Sequence, residues 1–147
     1  TTTLNRPTDR VVDMVFKNRQ RIQTVKRPKA NHHWDIFINC SRFPNKKYAL
    51  AAGMSGVRPG FRLADERNIN LNFDAMVTAT LLRLLPTVWD PGPGKLDANG
   101  RAKGELNLSS IAPSGGFDVP IWLAVAVLDP AAPGGIAFLP DTHVMRI

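Results

Sequence analysis

The side chains best suited to hold a soft metal in this sequence are His32, His33, Cys40 and His143. Zinc takes nitrogen and sulfur donors that converge tetrahedrally. Adjacent histidines on a strand point to opposite faces, so His32 and His33 are poorly placed to share one ion. Cys40 falls in phase with Trp34 and Ile38, the position of a small buried hydrophobe. Met14, Met54, Met76 and Met145 show no clustered spacing, so a copper site is not expected. Asp97, Asn99 and Gly100 begin like a calcium loop, yet the position that needs Gly is Ala102 and the position that needs Glu is Leu108. Gly53-Met54-Ser55-Gly56 lacks the spacing of a nucleophile elbow. Acids occur singly in loops and turns, with no pair set by periodicity for acid–base work. No glycine-rich phosphate loop precedes a helix. The chain is therefore expected to recognise something rather than transform it, without cofactor or metal.

Charge points to the kind of recognition. The 147 residues carry 19 Lys+Arg and 12 Asp+Glu, a net of +7. The charge is concentrated: residues 1–47 hold eleven basic and three acidic residues, whereas residues 48–147 hold eight and nine. Six of those bases, Lys17, Arg19, Arg21, Lys26, Arg27 and Lys29, occur between Met14 and Trp34 without an intervening acid. A field of one sign draws an anionic partner, here an acidic protein or polysaccharide surface. Phe16, Trp34, Phe37 and Phe43 lie among the bases, a mixture also suited to single-stranded nucleic acid.

Positioning these residues falls to strands. Trp34–Cys40 alternates with Trp34, Ile36, Ile38 and Cys40 on one face. Arg10–Phe16 and Arg19–Lys26 read as strands before it. Tyr48–Ala52, Phe61–Leu63, Ile69–Phe73, Ala102–Leu108, Pro120–Leu128, Ile136–Phe138 and Thr142–Ile147 read as strands after it. Loops fall at Gly53–Gly60, Asp90–Gly94, Pro113–Gly116 and Asp129–Gly135, and Asn99-Gly100 marks a tight turn. Gly104 leaves space for a neighbouring side chain. Residues 75–85 are ambiguous. Met76, Ala79, Leu82 and Leu85 have helical spacing, but Thr78, Thr80 and the short length favour a strand, and a strand is expected. Short strands with turn signals every 8–12 residues and no convincing amphipathic helix describe an all-β sandwich or barrel. The single Cys excludes an intrachain disulfide, and no apolar run reaches about 18 residues, so no membrane span is expected. The sequence has no initiator Met or signal peptide at its start, as in a processed product or a fragment.

Pro120–Leu128 is apolar on both faces, with Ile121, Leu123, Val125 and Val127 on one and Trp122, Ala124, Ala126 and Leu128 on the other. A solvent-facing sandwich strand alternates apolar with polar, so something must cover the second face. The N-terminal arm or the 53–68 loop is one cover. Another chain, anchored at Trp122, is the other.

From Trp34 onwards an ordered set of short motifs is present: Tyr48-Ala49-Leu50-Ala51-Ala52, Arg58-Pro59-Gly60, Ile69-Asn70-Leu71-Asn72-Phe73-Asp74, Leu96-Asp97-Ala98-Asn99-Gly100-Arg101-Ala102, Leu106-Asn107-Leu108, and Ala124 through Ile136. With them the chain resembles an Ig-like β-sandwich module of secreted multi-domain bacterial proteins. The resemblance implies an extracellular or periplasmic location at the cell surface and no active site. The expectation is thus a single Ig-like antiparallel sandwich, residues 34–147, with a basic N-terminal arm and first strands, residues 1–33. It would act as a non-enzymatic structural or binding subunit, in a homo- or hetero-oligomer. Lys17, Arg19, Arg21, Lys26, Arg27 and Lys29 would attract the partner and Trp122 would anchor it. Two alternatives are a filament subunit polymerising by strand exchange, and a nucleic-acid-binding or capsid sandwich. An exported location disfavours nucleic acid.

Overall fold

In the computed structural model the described residues are 20–27, 32–109 and 119–146. The expected leader, the strand over Arg10–Phe16, the Pro113–Gly116 loop and the bases Lys17, Arg19 and Lys29 lie outside them. The chain is mostly β. Its strands are β1 (Arg21–Lys26), β2 (His33–Asn39), β3 (Lys47–Gly53), β4 (Phe61–Arg62), β5 (Asn68–Ile69), β6 (Trp89–Asp90), β7 (Arg101–Asn107), β8 (Pro120–Leu128), β9 (Ile136–Phe138) and β10 (His143–Arg146). One α-helix, α1 (Ala75–Leu81), stands among the described residues.

Two antiparallel sheets form the body. The first has the order β1-β2-β7-β6 and the second β10-β8-β3, with β9 also pairing β8. The alternation read from the sequence sets the faces. Ile22, Ile36, Ile38, Trp89 and Leu106 of the first sheet share one core with Tyr48, Leu50, Ile121, Leu123, Val125, Val127 and Met145 of the second. The polar partners Asp35, Lys103 and Glu105 fall on the opposite face of the first sheet, where Asp35 sits across from Glu105.

The tight turn forms as a hairpin loop. The Asp97 amide donates to the Arg101 carbonyl, the Gly100 amide donates to the Asp97 carbonyl, and Gly100 takes φ +74°. The Asp97 carboxylate is used within the loop, accepting from the amides of Asn99 and Arg101. Gly104 admits backbone rather than the side chain expected there. A Cβ would stand 2.9 Å from the Asp90 carbonyl oxygen, where β6 crosses.

Residues 75–81 are helical, which overturns the expected strand. Asp74 caps the helix, its Oδ1 accepting from the Val77 amide at 2.9 Å. The threonines that argued for a strand do not oppose the helix. Thr78 is exposed, and Thr80 turns its hydroxyl back to the Met76 carbonyl at 2.9 Å. The buried side is Val77 and Thr80, whereas Leu82 and Leu85 of the expected apolar spacing are exposed. The alternating run at 69–73 is also shorter than expected, since only Asn68–Ile69 pairs, with Phe61–Arg62. No helix among the described residues is long and apolar enough to cross a membrane.

Candidate functional site

The outer face of the second sheet is where the two-faced apolar strand looked for a cover, and α1 with residues 69–73 supplies part of one. Ala51, Leu71, Val77 and Ala124 form a second buried cluster there, with Ile69 and Trp122 packed against it. The small residues of β3 permit the close approach. A Cβ on Gly53 would stand 2.9 Å from Val77 Cγ2 and 3.1 Å from Leu71 Cδ1. Asp74 ties the same layer to the end of β3, its Oδ2 accepting from the amides of Met54 and Ser55 and from the Ser55 hydroxyl at 2.6 Å. Ser55 is thus an anchor of the loop. Burial alone would raise the Asp74 carboxyl, but the bonds from the Ser55 hydroxyl and from the amides of Val77, Met54 and Ser55 outweigh it and hold the group below the ordinary range.

The cover is incomplete. An apolar groove of about 190 Å³ remains between sheet and helix, lined by Ala49, Ala51, Leu71, Phe73, Leu81, Ala126 and Leu139 among others. Beyond it the chain from Leu81 to Leu85 stands out in solvent, with Leu82 at 65% and Leu84 at 62% exposure, and Phe73 at 56%. Large apolar side chains gathered in this way mark a contact surface. Leu82 and Leu85 fit a helical spacing in the sequence, within a segment expected to be a strand. The available signal was the density of leucine in Leu81-Leu82-Arg83-Leu84-Leu85, more than a two-turn helix can bury.

Trp122 sits at the other end of this face, half-buried and opposite Val144 in the β8–β10 pairing. It lines a separate cleft of about 340 Å³ with Val57, Arg58, Asn70, Asp141, Thr142 and Val144. The segment between the two concavities alternates, Ile69 and Leu71 lining the groove and Asn70 the cleft.

Of the bases expected to act together, Arg21, Lys26 and Arg27 are described, and each has its own neighbour. Arg21 is half-buried on β1, with Nη2 3.4 Å from Gln23 Oε1. Lys26 places its ammonium 5.8 Å from the Trp34 ring centroid. Arg27 is committed to acids. Its Nε and Nη2 donate to Asp35 Oδ1 at 3.1 and 2.9 Å, and Nη2 also donates to Glu105 Oε1. The hydrogen bond from Arg27 holds the Asp35 carboxyl below its usual range, against the desolvation that would raise it.

Among the described residues, His33, Asp35 and Glu105 form the one set of three or more such groups able to converge on a cation, their ligand atoms lying within 4.8 Å of one another. His33 Nε2 is buried without a hydrogen-bond partner, 3.9 Å from Glu105 Oε1. The cation these two carboxylates hold is the Arg27 guanidinium, so the set closes as an ion-pair network. The other soft donors do not join it. Cys40 is wholly buried, which pushes its thiol up to about 11, and His143 Nε2 pairs with Thr24 Oγ1 at 2.9 Å across the two sheets.

No family model, curated protein or solved structure matches the chain.

Proposed function

We propose that this chain is an Ig-like β-sandwich module of an exported bacterial protein, and that it works as a non-enzymatic binding or structural subunit. The apolar outer face of the second sheet makes its contact. One observation carries the contact: Phe73 lines a groove formed by apolar residues, Leu82 and Leu84 follow that groove's Leu81 in the chain, and all three are more than half exposed. The strand order supports the Ig-like reading. With β1, β2, β3, β6, β7, β8 and β10 taken as strands A to G, the sheets are A-B-E-D and G-F-C, the constant-type arrangement. Export and surface location follow from the resemblance of residues 34–147 to secreted modules, and fractionation of the producing cells tests them. The bases of the first third add electrostatic attraction for an acidic partner, with Arg21 and Lys26 its described contributors.

The contact is tested by a photo-crosslinking amino acid at position 82 in native cells, with one at Arg101 on the exposed start of β7 as control. A discrete adduct from position 82 alone, with a second copy or another protein, is the expected result. Equal labelling from both positions, or none, removes the reading. The strand-exchange alternative draws on a different feature, the cleft of about 290 Å³ lined by Arg21, Ile22 and Gln23 of β1 and by Asp141, Thr142 and His143.

A further inference from the structure

We propose that the Trp122 cleft is a binding site for a neutral oligosaccharide. The site is distinct from the leucine surface and does not depend on it. At about 340 Å³ the cleft falls in the size range of small-ligand sites. Its chemistry is divided. Trp122, Val57 and Val144 supply apolar surface, while Arg58, Asn70, Asp141 and Thr142 supply a guanidinium, an amide, a carboxylate and a hydroxyl.

A pyranose ring has the matching division, an apolar C–H face and a rim of hydroxyls that both donate and accept. The half-buried indole meets the first, and the four polar groups meet the second. Asn70 Oδ1 already accepts from Asn68 Nδ2 at 2.8 Å, which leaves the two amide hydrogens of Asn70 as donors for a sugar oxygen. The cleft is braced across its width, because Thr142 Oγ1 donates to the Asn70 carbonyl at 2.8 Å. Asn70 and Thr142 are thus set before a ligand arrives, which lowers the ordering cost of binding.

Other ligand classes fit less well. Arg58 and Asp141 bring one charge of each sign to the cleft, so its lining carries no net charge for a polyanion. The polar side chains disfavour a lipid chain, which the neighbouring groove would hold better. An extended peptide would add at the outer edge of β10, whereas Trp122 lies on β8, which is paired on both sides.

The test is calorimetric titration of the whole chain with cellohexaose, mannohexaose, chitohexaose and laminarihexaose, with dextran sulfate as the polyanion. Saturable binding of at least one neutral hexaose is expected, insensitive to salt and weakened at least tenfold in Trp122→Ala and in Asn70→Ala. Asn70 is exposed, so its variant keeps the test valid should Trp122→Ala fail to fold. Leu82→Glu should bind the sugar as the parent does, which separates this site from the proposed protein contact. The proposal is overturned if none of the four binds, if both variants bind unchanged, or if dextran sulfate alone binds.

Discussion

Thr80 Oγ1 accepts the Ala52 amide hydrogen at 3.1 Å while its own hydrogen has the Met76 carbonyl as nearest acceptor, at 2.9 Å. One buried hydroxyl thereby closes the upper edge of β3. The lower edge is closed by backbone, the Tyr48 amide donating to Gly94 and the Leu96 amide to Lys46. Covering an edge strand removes a template for unwanted pairing.

Replacing this hydroxyl with a methyl group, Thr80→Val, keeps the volume and strands the Ala52 N–H. An unsatisfied buried donor costs about 1–3 kcal/mol. Urea unfolding should show a loss of that order, with Thr80→Ser falling between the variant and the parent. Equal stability of Thr80→Val and the parent would show that the edge is closed by packing alone.

Asp74 is held below its ordinary pKa by hydrogen bonds to its charged form. A depressed carboxyl contributes stability that is present above its unfolded pKa and lost as pH falls through its folded value. Asp74→Asn retains a capping oxygen but not the charge. The variant should be less stable than the parent at pH 7 by roughly 1 kcal/mol. The gap should narrow in unfolding curves at pH 3. A gap of the same size at both pH values would assign the role to shape and not to charge.

Gly100 occupies the left-handed region at φ +74°, and a Cβ there would lie 2.3 Å from the Cys40 carbonyl oxygen. The Cys40 amide also donates to the Gly100 carbonyl at 2.8 Å, so the loop cannot retreat without losing that bond. Gly100→Ala should destabilise by about 2 kcal/mol or more, seen as a lowered thermal midpoint. An unchanged midpoint would mean that the loop relaxes freely.

Cys40 combines complete burial with a thiol raised to about 11. Thiolate is the reactive form, so iodoacetamide at pH 8 should leave the folded chain unmodified and label it promptly in denaturant. Fast labelling of the folded chain would place Cys40 at an accessible position.

Much of the fold is legible in the sequence wherever alternation runs long enough. Pro120–Leu128 and Ile136–Phe138 have the bounds read from sequence, and the strands around Trp34–Asn39 and Ala102–Asn107 shift by a single residue. Trp89–Asp90 was invisible, because two residues carry no period and its pairing with Leu106 and Glu105 is set by tertiary contact. Helix α1 was misread because the signal lay outside the segment, in the Asp74 cap, while Thr78 and Thr80 carried strand propensity. The same limit applies to function. Trp122 could be singled out because its strand is apolar on both faces. The fate of Arg27 could not, since its partner Glu105 lies 78 positions away and net charge does not record pairing.

The two apolar clusters of the molecule are unequal. One fills the space between the sheets; the other, resting on Ala51, Leu71, Val77 and Ala124, fastens α1 and the 69–73 segment to the outside. The outer layer is thus a candidate for opening on its own while the sheets stay closed. Backbone amides of Ala75–Leu81 should then exchange hydrogen for deuterium well before those at the centres of β2, β7 and β8. A partner seated on the leucines would slow that exchange, so the least anchored layer of the chain would report occupancy of its surface.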